Sequence, residues 1–396
     1  MRENHFLTLN RALNGAMLAA VLLTSSNVFA AEIASPESVG MSSAALNSAT
    51  ARLQKHIDDG EIAGVVAAVA RDGKLVYQVA LGKLDRERDA GMPENELFRV
   101  YSMSREITSV AALRLFEEGA FKFDDPVSKY LPEFSDQRVL LNSESTDLEA
   151  TRPRVGEMTI GHLLTHTSGL GSRSSALYRE NNVRDRAQSL DAMVSKAARV
   201  PLFQDPGTEF RYGIHATTIG KLIEVWSGQP FEEYLQQNLL APLGMTSTLF
   251  WAEGNDADRL AQLYRPEAGE LSPYAIETMP WTQRPVLVEG GVGLLSSVPD
   301  YVRFAQMVLD RGKIPGTEER ILSESTAALM YENAVPEAAM PIGDSRYWLG
   351  SAGTRFFIDP IEGTVIVIMA QVSPSNGGGF RENFSHLVDA AIIERR

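Results

Sequence analysis

The sequence has no cysteine among its 396 residues. This excludes a disulfide framework, a thiol nucleophile, a thiolate metal site and a lipid-anchored cysteine. Basic residues are also in the minority, because 37 Lys and Arg stand against 51 Asp and Glu, which gives a formal net charge of -14. Such an acidic chain is a poor candidate for binding nucleic acid or an anionic membrane surface.

Long apolar runs are missing after the first 30 residues, so we expect no membrane span. Residues 1–30 predict a secretory signal peptide and hence export to the periplasm or the medium. Arg2 and Arg11 flank its basic start, residues 12–23 are largely apolar, and residues 28–30 form a small-x-small-like cleavage site before Ala31. The alternative is a buried N-terminal helix.

Two hairpins are predicted near opposite ends of the remaining chain. Residues 64–70 and 74–81 flank the turn signal Asp72-Gly73. Residues 354–359 and 364–371 flank a second turn at residues 360–363. Because residues 64–70 are apolar at every position, both faces of that sheet should be covered.

Helical periodicity surrounds these hairpins. Residues 42–59 predict a helix that stops at Gly60, and apolar residues from Phe384 to Ile392 recur at helical spacing. We therefore predict an α+β fold with one antiparallel sheet built from both termini. The single domain would span 31–396, with its sheet part at about 31–123 and 281–396 and a mostly helical insertion at about 124–280.

The stretch of residues 98–105 carries the first candidate for chemistry. Residues 107–116 are apolar nearly all round, which is typical of a buried helix, and Ser102 and Arg105 fall in what should be its first turn. At positions i and i+3 a hydroxyl and a fixed cation would share one face at the positive end of a helix dipole. Ser104 should point off that face and be dispensable. The alternative is that Ser102 is only an N-cap.

Two later stretches hold further candidates. His162 and His166 have the i, i+4 spacing of a helical metal pair, but no third ligand is evident, so we interpret them as structural. Pro206-Gly207 marks a turn that leads to Tyr212, which taken alone reads as an anchored core tyrosine.

Small residues mark two more segments. Residues 290–293 are glycine-rich but lack the ending of a phosphate loop, so a tight backbone crossing is the better interpretation. Residues 348–354 lead into the second hairpin, and their small side chains would let the backbone approach a ligand.

Together these stretches resemble the serine β-lactamase and D,D-peptidase superfamily, most closely class C β-lactamases and family VIII carboxylesterases. The resemblance runs over nearly all of the chain after residue 30. It rests on six landmarks that occur in the same order: residues 98–108, 158–170, 206–212, 242–245, 290–304 and 348–360.

The resemblance implies roles for seven residues. Ser102 would be the acylated nucleophile, Tyr212 its proton-transfer partner and Arg105 the neighbouring cation. The backbone N–H groups of Ser102 and Ser351 would form the oxyanion hole. Residues Trp348, Leu349 and Gly350 would bind substrate. No metal or organic cofactor is implied.

Arg105 is the first departure from the family pattern, because it stands where the family has lysine. A guanidinium does not lose its proton in proteins, so it cannot act as the base. A fixed cation can still stabilise tyrosinate at Tyr212.

Two other departures concern substrate recognition. Gly213-Ile214 follows Tyr212 where the β-lactamases have Ser-Asn, which removes an amide that would bind a β-lactam side chain. Trp348-Leu349-Gly350 replaces Lys-Thr-Gly, which removes the cation and hydroxyl that hold a substrate carboxylate. An indole suits an apolar or neutral group.

The sequence therefore predicts an exported serine hydrolase, a carboxylesterase for small or medium neutral esters that works through an acyl-enzyme. The alternatives are a β-lactamase or D,D-peptidase, and a catalytically impaired binding protein that kept the cleft. The expected partner is a small-molecule ester. The ester itself, the acyl acceptor (water or an alcohol) and the oligomeric state stay open.

Overall fold

The computed structural model describes residues 33–340, 347–375 and 379–396. The predicted signal peptide lies outside these residues. Residues Ile33–Arg396 form one compact unit. Within the described ranges no helix is both long and apolar enough to cross a bilayer.

Twelve strands are present in the described residues: β1 Gly64–Arg71, β2 Lys74–Asp85, β3 Ala90–Gly91, β4 Phe98–Arg99, β5 Val139–Leu140, β6 Thr151–Arg152, β7 Tyr264–Glu267, β8 Glu270–Pro273, β9 Leu295–Ser296, β10 Tyr347–Gly350, β11 Thr354–Asp359 and β12 Thr364–Ala370. The main sheet has six antiparallel strands in the order β10-β11-β12-β1-β2-β3. Both predicted hairpins are confirmed, and the sheet joins them by pairing β1 with β12.

The α-helices of the same residues are α1 Ser43–Asp58, α2 Ser104–Glu117, α3 Ile160–Leu164, α4 Ala176–Glu180, α5 Leu190–Arg199, α6 His215–Ser227, α7 Phe231–Leu235, α8 Asn255–Asp258, α9 Val298–Leu309, α10 Glu324–Ala328 and α11 Phe380–Ala390. Helices α1 and α11 match the two predicted terminal helices. The α+β class is confirmed. Between residues 124 and 280 only α5 and α6 exceed five residues, and irregular segments and two small hairpins join the helices.

Strand β1 is buried at every residue because helices cover both faces of the sheet. Val65, Ala67 and Val69 belong to a core shared with α1 and α11. Val66 and Ala68 point the other way, into the larger core that contains α2 and α9. The alternation follows from the two-residue period of a strand, so the uniform apolar run was a correct signal of a two-sided core.

The start of the central helix differs from the prediction. Residues 98–105 do not form one helical opening, because Phe98 and Arg99 form strand β4 and pair with β9. A separate 3-10 turn, Tyr101–Met103, follows, and α2 begins only at Ser104. The helix is buried nearly all round, as expected, and Gly119 follows its end with a left-handed φ of 77°.

Candidate active site

Ser102 lies at the centre of the turn before α2. Tyr101 adopts φ 42°, which is uncommon for an aromatic residue, and its buried ring packs edge-on against Trp281 at 5.6 Å. The Val100 amide donates to the Leu294 carbonyl at 3.1 Å, which ties the turn to the segment before β9. Strained backbone held by its surroundings is a frequent feature of active sites. Ser102 does not cap α2, so the N-cap alternative is wrong.

Ser104 points away from the cavity that contains Ser102, as predicted, and its dispensability for activity stays a prediction. It is fully buried, and its hydroxyl oxygen accepts a hydrogen bond from the Leu294 amide at 3.1 Å. The 3-10 turn shifts the first helical turn by two residues, and this turns Ser104 into the core. It joins two backbone segments and is not available to a substrate.

Arg105 is buried beside Tyr212. Its Nε donates to the Tyr212 hydroxyl oxygen at 2.7 Å, and its Nη1 donates to the Gly213 carbonyl at 2.8 Å. The guanidinium carbon also lies 4.2 Å from the centroid of the Tyr212 ring. The contacts around Arg105 therefore suit a planar cation that donates several hydrogen bonds. A lysine ammonium has a different shape and could not make the same set of contacts.

Tyr212 completes the constellation. A hydrogen bond of 2.6 Å joins its hydroxyl to that of Ser102. With 37% of its surface exposed, Tyr212 is not an anchored core residue. The three predicted catalytic residues are thus brought together in the order Arg105, Tyr212, Ser102.

Gly213 explains one departure from the family pattern. A Cβ on this residue would lie 2.6 Å from the carbonyl oxygens of both Gly171 and Leu170. The Ile214 amide donates to the Gly171 carbonyl at 3.0 Å, so the two segments are in direct contact. Glycine is needed here because the backbones approach too closely for a side chain.

Two histidines, the fully buried His215 and the partly buried His166, pack next to Tyr212, and sequence reasoning missed this contact. The His166 ring stacks on Tyr212 at 5.6 Å and on Trp348 at 5.7 Å. His166 Nδ1 is 3.1 Å from Nδ1 of His215, the first residue of α6. Burial and the Arg105 charge lower the pKa of His215 to about 3, and burial, His215 and Arg105 lower the pKa of His166 well below its ordinary range. Both rings are therefore neutral at pH 7.

The helical metal pair does not form. His162 caps α3 by exchanging hydrogen bonds with Thr159, whereas His166 lies beyond the helix at φ 57°. The described residues contain no group of three or more potential metal ligands. His162 is structural, as interpreted, and His166 belongs to the site.

Gly290 and Gly350 let backbone segments close around the nucleophile. A Cβ on Gly290 would lie 2.7 Å from the Ala216 carbonyl and from the Thr108 side chain, so residues 290–293 form the expected tight crossing. A Cβ on Gly350 would lie 2.5 Å from the Val100 carbonyl. The end of β10 is thereby pressed against the turn that carries Ser102.

A cavity of about 290 Å³ opens at Ser102. Its wall includes Ser351, the second predicted donor of the oxyanion hole, together with Arg105 and Tyr212. Trp348 reaches the site by stacking on His166. Leu349 follows it on β10, where successive side chains point to opposite faces, so we expect only its backbone to face a substrate.

An arginine-rich part of the cavity wall is the second feature that sequence reasoning missed. Arg173, Arg184 and Glu289 line the cavity, and Glu277 lies behind them. Arg184 binds both Glu289 oxygens through Nε, at 3.0 and 3.1 Å. Burial opposes ionisation of Glu277, but Arg184 and Arg173 outweigh it and lower its pKa. The arginines and their glutamate partners are about 100 positions apart in the sequence, so no local sequence pattern could predict these contacts.

Comparisons with known proteins show what the chain as a whole is similar to. A family model described as Beta-lactamase matches residues 49–390. Monacolin J acid methylbutanoyltransferase of Aspergillus terreus is 30% identical over 294 residues, 71% of this chain and 69% of that protein. Esterase EstB of Burkholderia gladioli is 34% identical over 197 residues, 46% of each chain. The solved structure of EstCE1, a hydrolase with promiscuous acyltransferase activity, covers 87% of this chain and 98% of its own at a TM-score of 0.74 and 25% identity.

Proposed function

Because the chain belongs to the β-lactamase family, whose members here include esterases and acyltransferases, we propose that it is an exported carboxylesterase that works through an acyl-enzyme. The observation that carries the proposal is the line of contacts from Arg105 through Tyr212 to Ser102, at 2.7 and 2.6 Å. A nucleophilic serine requires an adjacent base within hydrogen-bond reach, and Tyr212 meets that requirement.

The mechanism requires Tyr212 in its deprotonated form, with Arg105 Nε donating a hydrogen bond to its oxygen. Tyrosinate takes the Ser102 proton while Ser102 Oγ attacks the ester carbonyl. The N–H groups of Ser102 and Ser351 bind the oxyanion, and one such donor is worth about 3 kcal/mol of barrier. Tyr212 then gives the proton to the leaving alcohol. Water repeats the sequence on the acyl-enzyme and releases the acid.

The proposed substrates are small or medium esters that are uncharged near the scissile bond. The Trp348 ring borders Tyr212 at 6.0 Å and offers an apolar surface where a β-lactamase offers a cation. The cavity of about 290 Å³ suits a small ligand. A chromogenic cephalosporin cleaved as efficiently as short p-nitrophenyl esters would favour a β-lactamase instead.

A fluorophosphonate probe and ester hydrolysis test the nucleophile together. Ser102→Ala should lose both probe labelling and activity. Ser109→Ala, on the same helix, is the matched control and should keep both. Persistent hydrolysis in Ser102→Ala would reject the assignment, and a folded natural protein that neither labels nor turns over would favour an impaired binding protein.

Export is part of the proposal because residues 1–30 have the pattern of a signal peptide. Expression in a Gram-negative bacterium should give a periplasmic or secreted protein that begins at Ala31, as read by mass spectrometry. An intact N-terminus in the cytoplasm would contradict this.

Acyl transfer to an alcohol is a second candidate function. The related proteins include a methylbutanoyltransferase, and EstCE1 is described as a hydrolase with acyltransferase activity. In this case an alcohol would replace water in the second half of the reaction. Product analysis with added short alcohols measures how the acyl-enzyme divides between hydrolysis and ester formation. If the fraction of ester formed is no larger than the mole fraction of alcohol in the mixture, the enzyme does not prefer the alcohol to water, and acyl transfer is rejected as its function.

A further inference from the structure

The cavity is cationic although the protein is acidic. Among the charged residues that line it, Arg105, Arg173 and Arg184 stand against Glu289 alone, whereas the chain as a whole has a net charge of -14. An acidic protein surface repels anions. A local excess of guanidinium groups is therefore unexpected unless these groups contribute to ligand binding. The excess indicates a ligand with negative charge.

The contacts single out Arg173 as the available cation. Arg105 is committed to Tyr212 and Gly213. Arg184 is committed to Glu289 and Glu277. Arg173 makes one ion pair, from Nη1 to Glu277 at 3.1 Å, and its side chain remains 25% exposed.

Two hydroxyl groups flank this arginine. Ser172 and Ser174 line the same cavity, and their oxygens lie 2.9 Å apart. Arg186, which does not line the cavity, lies over the Trp281 ring at 4.2 Å and makes no hydrogen bond to a carboxylate among the described residues. It adds positive charge near Arg184 and Glu277. A guanidinium with adjacent hydroxyls is the donor set that binds a carboxylate by charge-assisted hydrogen bonds.

We propose that the natural ester carries a carboxylate remote from the scissile bond, and that Arg173 with the hydroxyls of Ser172 and Ser174 binds it. The inference rests on the proposed esterase function and narrows its substrate class to esters with a remote carboxylate. The substrate is uncharged where it meets Trp348 and anionic where it meets residues 172–174. Charge complementarity of this kind selects a substrate by attraction inside the cavity and repulsion elsewhere.

Matched ester pairs test the charge on either side of the scissile bond. p-Nitrophenyl hemiglutarate and p-nitrophenyl pentanoate differ only by a carboxylate in place of a methyl group on the acyl side. Acetyl esters of 4-hydroxybenzoate and 4-methylphenol make the same comparison on the alcohol side. In at least one pair kcat/KM should be roughly tenfold or more higher for the anion, since a charged hydrogen bond is lost without it. The preference should shrink as salt is raised.

Variants test whether Arg173 causes the preference for the anionic ester. Arg173→Gln should abolish the anion-to-neutral ratio and Arg173→Lys should retain part of it. Arg199→Gln removes an exposed arginine of α5 that does not line the cavity and should leave both activities unchanged. A ratio that survives in folded Arg173→Gln would overturn the assignment.

A binding measurement separates this inference from the catalytic proposal. Calorimetry on Ser102→Ala compares glutaranilate with the neutral pentananilide, neither of which needs turnover. Glutaranilate should bind roughly tenfold or more tightly. Equal binding, or hydrolysis without preference in both pairs, overturns the anionic substrate and leaves the esterase proposal intact. Preferential binding with no hydrolysis by the natural protein rejects the esterase and keeps the anion site.

Discussion

Arg105 was visible in the sequence as a substitution, but its consequence depended on neighbours about 107 positions away. Its guanidinium makes hydrogen bonds to Tyr212 and Gly213 in one plane and stacks on the Tyr212 ring. A lysine has the charge but not the planar fork. We infer from these contacts that the site has adapted to arginine, and the kinetics of Arg105→Lys test this inference.

We expect Arg105→Lys to lower kcat about tenfold and Arg105→Ala to lower it by roughly tenfold to a thousandfold, the range for a detuned general base. Both losses are expected because the guanidinium that donates to the Tyr212 oxygen is replaced or removed. Steady-state kinetics from pH 6 to 10 measure both effects. A rise in kcat in Arg105→Lys would indicate a pocket still built for lysine.

His215 gives a pH dependence to stability. Its folded-state pKa of about 3 lies below the ordinary value near 6.5, so as the pH falls through this window the unfolded chain binds a proton that the folded chain does not. The folded state should lose stability from about pH 6.5 downwards. Melting temperatures of the natural protein should fall more steeply between pH 6.5 and 4 than those of His215→Gln. Parallel curves would contradict a neutral buried His215.

At the scale of elements, the sequence predicted what local patterns control. The hairpin turn at Asp72-Gly73, with φ values of 53° and 73°, and the helices α1 and α11 follow from turn chemistry and apolar spacing. The nucleophile turn did not, because the Tyr101 backbone is held by Trp281 and the Leu294 segment. The candidate catalytic residues could be proposed because they lie in the family landmarks. The contacts of Arg173 and Arg184 with Glu277 could not, because these residues are far apart in the sequence.

Substitution of Gly213 tests the close contact between two backbone segments. The serine that the β-lactamases have at this position should impair both stability and activity. Gly213→Ser restores the β-lactamase serine but puts a Cβ 2.6 Å from two carbonyl oxygens. We expect a lower melting temperature and a loss of roughly tenfold or more in kcat/KM, because the segment moves Tyr212 away from Ser102.

Gly91→Ala is the matched control for this change. No atom lies within 4 Å of the Cβ that it would add, so activity and melting temperature should stay near those of the natural protein. Full activity of Gly213→Ser would show that the segment can accommodate a side chain, which would contradict the short distances to the two carbonyl oxygens.

At the scale of the whole molecule, Arg71 joins segments that are far apart in the chain. Fully buried, it donates to the carbonyl oxygens of Val39, Gly40, Glu362 and Glu394, and its Nη2 pairs with the Glu362 carboxylate at 2.9 Å. Those partners come from before β1, from the second hairpin and from beyond α11. One side chain thus holds both ends of the described domain to the sheet.

Arg71→Met should cost about 3–5 kcal/mol of unfolding free energy, because the buried Glu362 then keeps only the more distant ion pair with Arg395, at 3.9 Å. Urea unfolding of the purified protein measures the loss. Arg71→Met combined with Glu362→Gln should recover part of it, since no unpaired charge remains. Equal stability of the single variant and the natural protein would show that solvent reaches Glu362.

The pairing of β1 with β12 also sets the order in which the chain can acquire structure. Val65 lies opposite Ala370, so strands about 300 residues apart must meet before either core can close. Contacts of such long sequence separation are slow to form, and a growing polypeptide on the ribosome cannot make them until its second hairpin has emerged. For nearly the whole of its synthesis the nascent chain therefore lacks the strand pairing that joins its two hairpins into one sheet.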